Sequence, residues 1–489
     1  MTETPKSTSC PDSPIAILGV PFDKVTTQET LGEIEAMIRS GRPHYLVTAN
    51  VDFVVQARND VELRRILFDA HLVLADGMPL VWASRWLGNP LPERVTGSGM
   101  TPLLLARAEA KGWGVFLLGG TEQSVAQAAA NVRLKHPRLR LVGAYSPPFK
   151  PLIEMDHADI LRRLRDARPD IVLVAFGCPK QEKWLNMHYR TAGVPVAIGV
   201  GATIDFLAGT MKRAPAWMQK TGLEWIFRLL QEPRRLFRRY VTDLWVFGCA
   251  IIQQVNQMPA TRKASSIAPS LEITSTQDTE VFSIKPPARL TKDTVEANQS
   301  LWRELSEQPR DVLFKAGSIE TLDSTAIGWL IRLRKVLREN GRHLILIEYN
   351  RVLDRAFELM KLSGSFDRVP DVPSAFALLA ARRRESNVRA SAGRTQTEAA
   401  IAWQGEITAL NVDKVARATD ACLTHVSERL VIDLSAVRFI DSSGIGLMVR
   451  LKKQARARNI GLAFVGPSEN VRNVARLLRL EDALFNIKP

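Results

Sequence analysis

Five stretches of this 489-residue chain end apolar runs in residues suited to a phosphorylated ligand. They are Thr48 and Asn50 after "HYLV", Asp76-Gly77 after "HLVLA", Gly119-Gly120-Thr121-Glu122 after "GVFLL", Gly177 to Glu182 ("GCPKQE") after "DIVLVAF", and Gly199 to Asp205 ("GVGATID") after "PVAI". Glycine lets backbone N–H groups approach a ligand closely, and a helix N-terminus behind it favours phosphate. A nucleotide diphosphate would fit such a rim. Each piece alone is weak: "GG" is a common turn, and "ADG" is more often a tight turn than a catalytic site. No G-x-G-x-x-G follows the first strand and no P-loop occurs, which argues against a dinucleotide enzyme or an NTPase. There is no Asp-x-Asp either, so a metal-held diphosphate of the usual sugar-transferase kind lacks its ligands. Neither a metal nor another cofactor is expected.

The elements that must position these residues are legible in the same region. The strand-like runs alternate with helical patterns such as "TLGEIEAMIRS" and "TEQSVAQAAANVRL", which predicts a Rossmann-like α/β domain, a parallel sheet covered by helices. Ligands bind such sheets beyond the carboxyl ends of the strands, so the five stretches belong to one rim.

Composition narrows the setting. At 46% hydrophobic and 24% charged residues the chain reads as globular rather than disordered, and its length calls for several domains. No stretch approaches the roughly 18 apolar residues of a spanning helix, and the start, "MTETPKSTSCPDSP", lacks the order of a signal peptide, so a cytoplasmic location is expected. Cysteines 10, 178, 249 and 422 follow no metal or disulfide spacing, as suits a reducing compartment. The net charge of +15 is locally concentrated: between Lys212 and Arg239 eight bases face two acids. There, "LEWIFRLLQEPRRLFRRYVTDLWVFGCAII" interleaves Trp225, Phe227, Phe237, Tyr240, Trp245 and Phe247 with arginines, the pattern of a helix in an anionic headgroup layer, broken in two at Pro233. The alternative is a core-facing aromatic stripe with a solvated basic face. No helix-turn-helix, RNP or zinc pattern is present, and nucleic acid is not an expected partner.

Beyond residue 258 the chain repeats. Slid by 118 residues, "TLDSTAIGWLIRLRK" (321–335) falls on "FIDSSGIGLMVRLKK" (439–453) without a gap, and Leu344, Leu359 and Leu362 fall on Leu462, Leu477 and Leu480. Two copies of one small α/β domain are expected at 281–384 and 398–489, with polar linkers at 259–280 and 385–397. In each, Asp-Ser sits where a strand turns into a helix. Helix capping accounts for that placement. A hydroxyl on such an exposed turn is also placed to accept a phosphate. The order strand, Asp-Ser-Ser-Gly-Ile-Gly, helix, strand, helix resembles the STAS domain of bacterial anti-sigma factor antagonists, in which the first Ser after the Asp is a kinase target. The resemblance implies phosphorylation at Ser324 and Ser442, and a kinase or anti-sigma-type partner. The first copy departs from the pattern, with Thr325-Ala326 for Ser443-Gly444 and Lys315 for Asp433, so Ser442 is the closer match.

In the first 258 residues, "TANVDFVVQARND", "LADGMPLVW", "RVTGSGM", "FLLGG", "FGCPKQEKW" and "GVGATIDFLAGTMKRAPAWMQKTGLEWIFRLLQEPRR" together resemble the WecG/TagA/CpsF family of bacterial glycosyltransferases over about residues 15 to 245. The resemblance implies metal-independent, inverting transfer of an N-acetylmannosamine-like sugar from a UDP-sugar to a polyprenyl-diphosphate-linked sugar, at the inner face of the cytoplasmic membrane. An inverting transfer needs a base at the acceptor hydroxyl. Asp76 is the expected base, with Thr48 and Asn50 beside it on sugar hydroxyls, and Asp205 is its rival. Arg94 is expected to clamp the donor. Gly119, Gly120 and Gly177 shape the pocket, and Lys180, Gln181 and Glu182 reach the nucleotide, Gln181 most directly. Without a metal, the leaving diphosphate needs other positive charge. The resemblance places it in the tail, at Arg228, Arg234, Arg235 and Arg238, with Arg228 and Arg234 foremost. The expectation is a peripheral membrane glycosyltransferase whose paired C-terminal domains regulate it, recruit a partner, bind each other in a dimer or sense a small ligand. A rival is a vestigial enzyme acting as a partner-switching scaffold.

Overall fold

The computed structural model describes residues 14–215, 217–218, 223–258, 271–275, 281–298, 310–383, 388–390, 398–424, 426 and 428–485. The first domain begins with a hairpin, β1 (Ile15–Ile17) and β2 (Val20–Phe22), followed by α1 (Thr27–Ser40), β3 (His44–Ala49), α2 (Val51–Ala57), α3 (Val61–Asp69), β4 (Leu72–Ala75) and α4 (Met78–Trp86). Then come α5 (Gly97–Lys111), β5 (Gly114–Gly119), α6 (Glu122–Lys135), β6 (Arg140–Tyr145), α7 (His157–Ala167), β7 (Ile171–Ala175), α8 (Lys180–His188), β8 (Val196–Gly199) and α9 (Thr203–Ala208). Two tail helices close it, α10 (Glu224–Gln231) and α11 (Pro233–Gln257). Proline has no N–H to give, so it fits the first turn of α11 and ends α10 before it.

Strands β3 to β8 form one sheet in the order β4-β3-β8-β7-β5-β6, all parallel. Their apolar runs are near-continuous because both faces are covered. Tyr45, Val47, Phe116 and Leu118 pack with α2, α3, α4, α7, α8 and α11, while Leu46, Val115 and Leu117 pack with α1, α5, α6 and α9. With every strand pointing the same way, all carboxyl ends lie on one edge. Strand β6 was not foreseen: it is a sheet edge with exposed and half-buried residues, and its Gly143 gives way to the Phe116 ring.

The repeat holds in three dimensions at the same offset. Helix Ser324–Glu339 corresponds to Ser442–Ala457, and helix Arg351–Leu359 to Glu469–Leu477. Strands Val281–Lys285, Asp311–Lys315, Leu344–Ile347 and Asp367–Val369 run parallel in the first copy; Glu398–Ile407, Arg429–Ile440 and Gly461–Val465 do so in the second. Segments expected to be linkers each carry an antiparallel edge strand, Glu272–Ser275 and Val388–Ala390. Apart from Leu271, the rest of both linkers lies outside the described residues. Helix α3 is packed between the two copies, which explains why its Glu62, Arg64 and Arg65 are buried.

Candidate active site

Where β3 and β4 end, the chain turns into α2 and α4, and the tail helices close over the gap to leave a cavity of about 130 Å³. Asp76, Arg94, Glu224 and Arg228 meet there. Glu224 is buried, and its carboxylate holds both arginines: Arg94 Nη1 lies 3.0 Å from Oε2 and Arg228 Nη2 lies 3.6 Å from Oε1. Arg228 also lies over the Phe206 ring, 5.2 Å from its centroid. Burial pushes the Asp76 carboxyl up to about 6 even though Arg228 and Arg94 pull it down. A carboxylate so poised can both hold and release a proton near neutral pH. The first turn of α4 adds no row of free N–H groups beside the arginines, since Pro79 has none and the Leu80 N–H donates to the Gly77 carbonyl (3.2 Å).

The other expected residues divide. Asn50 lines the cavity, but its Oδ1 accepts from Phe53 N–H (3.3 Å) as the N-cap of α2. Thr48 is buried and its hydroxyl donates to the Gly199 carbonyl (3.0 Å), joining the ends of β3 and β8. Gly119, Gly120 and Gly177 sit at the carboxyl ends of β5 and β7 with left-handed φ of 105°, 75° and 79°. Gln181 and Glu182 are buried on α8, where Gln181 Nε2 donates to Glu182 Oε1 (2.6 Å); burial raises Glu182 to about 8. A side chain at Gly199 would strike Gln181, so this pair lies under the end of β8. Lys180 donates to the Lys150 carbonyl (2.6 Å). Asp205 stands in the first turn of α9, and Arg234 is exposed on α11; neither lines the Asp76 cavity.

Residues 15–260 match the model of the glycosyl transferase WecG/TagA/CpsF family, half of the chain. The chain belongs to that family. It is a glycosyltransferase, and residues 276–375 and 392–489 match the STAS domain. Similar curated proteins are the N-acetylglucosaminyldiphosphoundecaprenol N-acetyl-beta-D-mannosaminyltransferases of Staphylococcus aureus strains MW2 and NCTC 8325, each 30% identical over 238 residues, which are 48% of this chain and 92% of theirs. Among solved structures, an anti-sigma-factor antagonist (STAS) domain protein from Planctomyces limnophilus is 22% identical, covering 23% of this chain and 98% of its own, with a TM-score of 0.21.

The STAS serines are where the structure departs most from expectation. The turns that carry them are buried against the WecG/TagA/CpsF domain rather than exposed: Ser324 and Ser442 are 0% and 1% exposed. Asp323 and Asp441 cap their helices, each accepting from backbone N–H groups two and three residues on. Ser324 Oγ accepts from Gln254 Nε2 of α11 (2.9 Å). Ser442 donates to Glu62 of α3 twice, from N (2.5 Å) and from Oγ (2.8 Å). Glu62 is in turn bridged to Lys183 of α8 (2.9 Å), which also meets Asp60 (2.8 Å). Burial opposes the Lys183 charge, but Glu62 and Asp60 outweigh it and its pKa rises. A kinase can reach either serine only after its domain has separated from the transferase domain.

Several residues of the transferase cavity escaped sequence reasoning. Glu224, Asp52, Arg239 and Asp243 all line it, with Arg239 Nη1 3.8 Å from Asp52 Oδ2, and burial raises Asp243 to about 6. The signal for Glu224 is its i, i+4 spacing to Arg228 on one helix face, which places a carboxylate where it can hold that arginine. Arg94, 130 residues away, has no such local cue.

Proposed function

We propose that the protein transfers an N-acetylmannosamine-type sugar, with inversion, from a UDP-sugar to a polyprenyl-diphosphate-linked sugar at a membrane surface. The observation that carries this reading is Asp76, raised to about 6, set beside Arg94 and Arg228 on the buried Glu224. In the step, the acceptor hydroxyl oxygen bonds to the anomeric carbon as the bond from that carbon to the UDP oxygen breaks. The electron pair leaves on UDP and the hydroxyl proton passes to Asp76. Arg94 and Arg228 meet the charge that develops on the diphosphate, as placed donors do best in a cavity poor in water. The sugar class rests on the names of the Staphylococcus aureus relatives.

The membrane part rests on the tail. In α11, Leu236, Phe247, Ala250 and Ile251 turn inward, while Phe237, Val241, Trp245 and Ile252 stand exposed at helical spacing, Trp245 at 74%. Trp86 of α4 is 60% exposed and Arg85, Arg234 and Arg238 are exposed as well. No described helix is long and apolar enough to cross a membrane. An apolar ridge set among arginines suits the interface of an anionic bilayer, which is where a polyprenyl acceptor presents its diphosphate.

Turnover of UDP-sugars with a short-chain polyprenyl-diphosphate-GlcNAc acceptor, in the presence of EDTA, tests the enzyme. Asp76→Asn is expected to lower kcat by about 10²- to 10⁴-fold. The wild-type rate is expected to rise with pH through about 6 as Asp76 loses its proton. A mutant as active as wild type would remove Asp76 from the role. For the membrane, co-sedimentation with anionic vesicles is expected to fail in Phe237→Glu/Trp245→Glu.

A further inference from the structure

Where α3 meets both STAS domains there is a second cavity, of about 400 Å³, separate in its lining from the one at Asp76. Its wall carries seven arginines against two carboxylates, Asp367 and Glu406. Arg64 and Arg65 come from the transferase domain, Arg334, Arg338, Arg342 and Arg382 from the first STAS domain, and Arg438 from the second. Burying like charges together is unfavourable unless something of opposite charge joins them.

The neighbouring acceptors do not reach every arginine. Glu406 takes Arg65 (2.6 Å) and reaches Arg338 (3.7 Å), which Asp69 holds more closely (2.7 Å); Asp367 takes Arg382 (2.5 Å), and Arg64 donates to the carbonyls of Ala57, Arg58 and Lys361. Three guanidinium nitrogens on this wall, Arg65 Nη1, Arg334 Nη1 and Arg382 Nε, are buried without a hydrogen-bond partner among the described residues. Arg334 has no carboxylate within salt-bridge distance among them. Burial and the neighbouring Arg65 push Arg334 down to about 10, and burial and Arg58 push Arg64 down to about 10. The apolar part of the wall includes Phe366 and the Phe439 ring, over which Arg65 lies at 3.8 Å. Planar forks with spare N–H groups match phosphate oxygens, and the volume is that of a small-molecule site.

We propose that this cavity binds a phosphorylated small molecule of nucleotide size, whose phosphates join the arginines of all three domains and so hold the STAS pair against the transferase domain. It is an effector site: its occupancy sets how firmly α3, and through Glu62 and Lys183 the helix α8, is gripped.

Inorganic pyrophosphate, ATP and GTP are the probes, titrated calorimetrically into the full-length protein at low salt, with thermal unfolding in parallel. Wild type is expected to bind at least one of them and to unfold at a higher temperature with it. Arg334→Gln is expected to weaken that binding by about tenfold or more, as loss of a charge-assisted contact does. Without ligand, Arg334→Gln should unfold no earlier than wild type, since it relieves repulsion, and this keeps a folding defect apart from lost binding. Arg94→Ala, in the other cavity, should leave the affinity unchanged. Equal affinity in wild type and Arg334→Gln would overturn the proposal. So would binding lost in Arg94→Ala alone, or no binding of any probe at millimolar concentration.

Discussion

The two STAS domains carry the same turn at the same offset and use it on different partners. Ser324 meets an amide, Gln254, which also donates to the Ala16 carbonyl and accepts from Leu18 N–H, so it belongs to a neutral and fully bonded contact. Ser442 meets a carboxylate, Glu62, that is shared with Lys183 of α8 and faces Asp441. The first domain is further fixed by Arg332–Asp23 and Arg338–Asp69, and by Asn89 donating to Thr325. Duplication therefore supplied one docking element, and the residues opposite it decide whether the dock is static or responsive to charge. The first copy reads as a structural clasp and the second as a latch.

The largest break in that comparison should come from Ser442→Asp. It places a second buried carboxylate on Glu62, with only Lys183 to answer for both and Asp60. An uncompensated buried charge costs on the order of 3–5 kcal/mol, so the second STAS domain should leave α3, seen as faster hydrogen exchange there and a larger radius of gyration. Ser324→Asp still faces the Gln254 N–H, and its cost should be nearer about 1–3 kcal/mol. Equal effects from the two changes would refute the distinction. Glu62→Gln should suppress the effect of Ser442→Asp, because the repelling partner is gone.

A milder form of the same experiment uses pH. Burial and then Glu62 raise Asp441 from 3.8 to about 7. The docked state thus holds a proton that the free turn has released, and docking is favoured at low pH and weakens as pH rises from about 4 to about 7. Lys183 stays charged throughout this window. Burial raises Asp323 too, but the acid that adds to it, Asp293, belongs to the same STAS domain and not to the transferase domain. Hydrogen exchange on α3, followed across this range, should accelerate as pH rises beyond its intrinsic pH dependence; Glu62→Gln should flatten the trend.

How much of this was visible in the sequence follows from how local each feature is. The parallel sheet, the break at Pro233, the repeat and the caps at Asp323 and Asp441 rest on short-range patterns, and these patterns match the observed elements. Asp76 and Arg228 were singled out from strand-end position and family resemblance, and they meet in one cavity. Glu224 reads in sequence as one acid in a basic run, because its contact with Arg94 depends on a distant segment. Strand-end position alone does not reveal that the Thr48 hydroxyl bonds to the Gly199 carbonyl or that Asn50 caps α2 through the Phe53 N–H. The burial of Ser324 and Ser442 was invisible, since a polar turn reads as exposed until the surface that covers it is known. The arginine cavity was hidden for the same reason: its residues are scattered from Arg64 to Arg438 and become neighbours only when three domains meet.

The smallest expected effect sharpens the comparison at a single pair of glycines. Gly328 and Gly446 are equivalent in the repeat, both one turn into the docking helix. A methyl group at Gly328 would lie 2.3 Å from the Pro14 carbonyl oxygen, backbone of the transferase domain, whereas at Gly446 it would meet nothing within 4 Å. The first helix therefore packs through its glycine face, whereas the second meets α3 at Ser442 and also contacts α8, with Gly446 left open. Gly328→Ala should lower the unfolding free energy by about 1–3 kcal/mol as an overpacked contact, and should loosen β1, which packs on that helix. Gly446→Ala should raise helix stability by about 0.5–1 kcal/mol, because alanine replaces glycine in a helix interior with no clash. Opposite signs in thermal or chemical unfolding would support two modes of docking from one repeated element. A loss in both would mean that the second helix lies against the transferase domain along its length, as the first does.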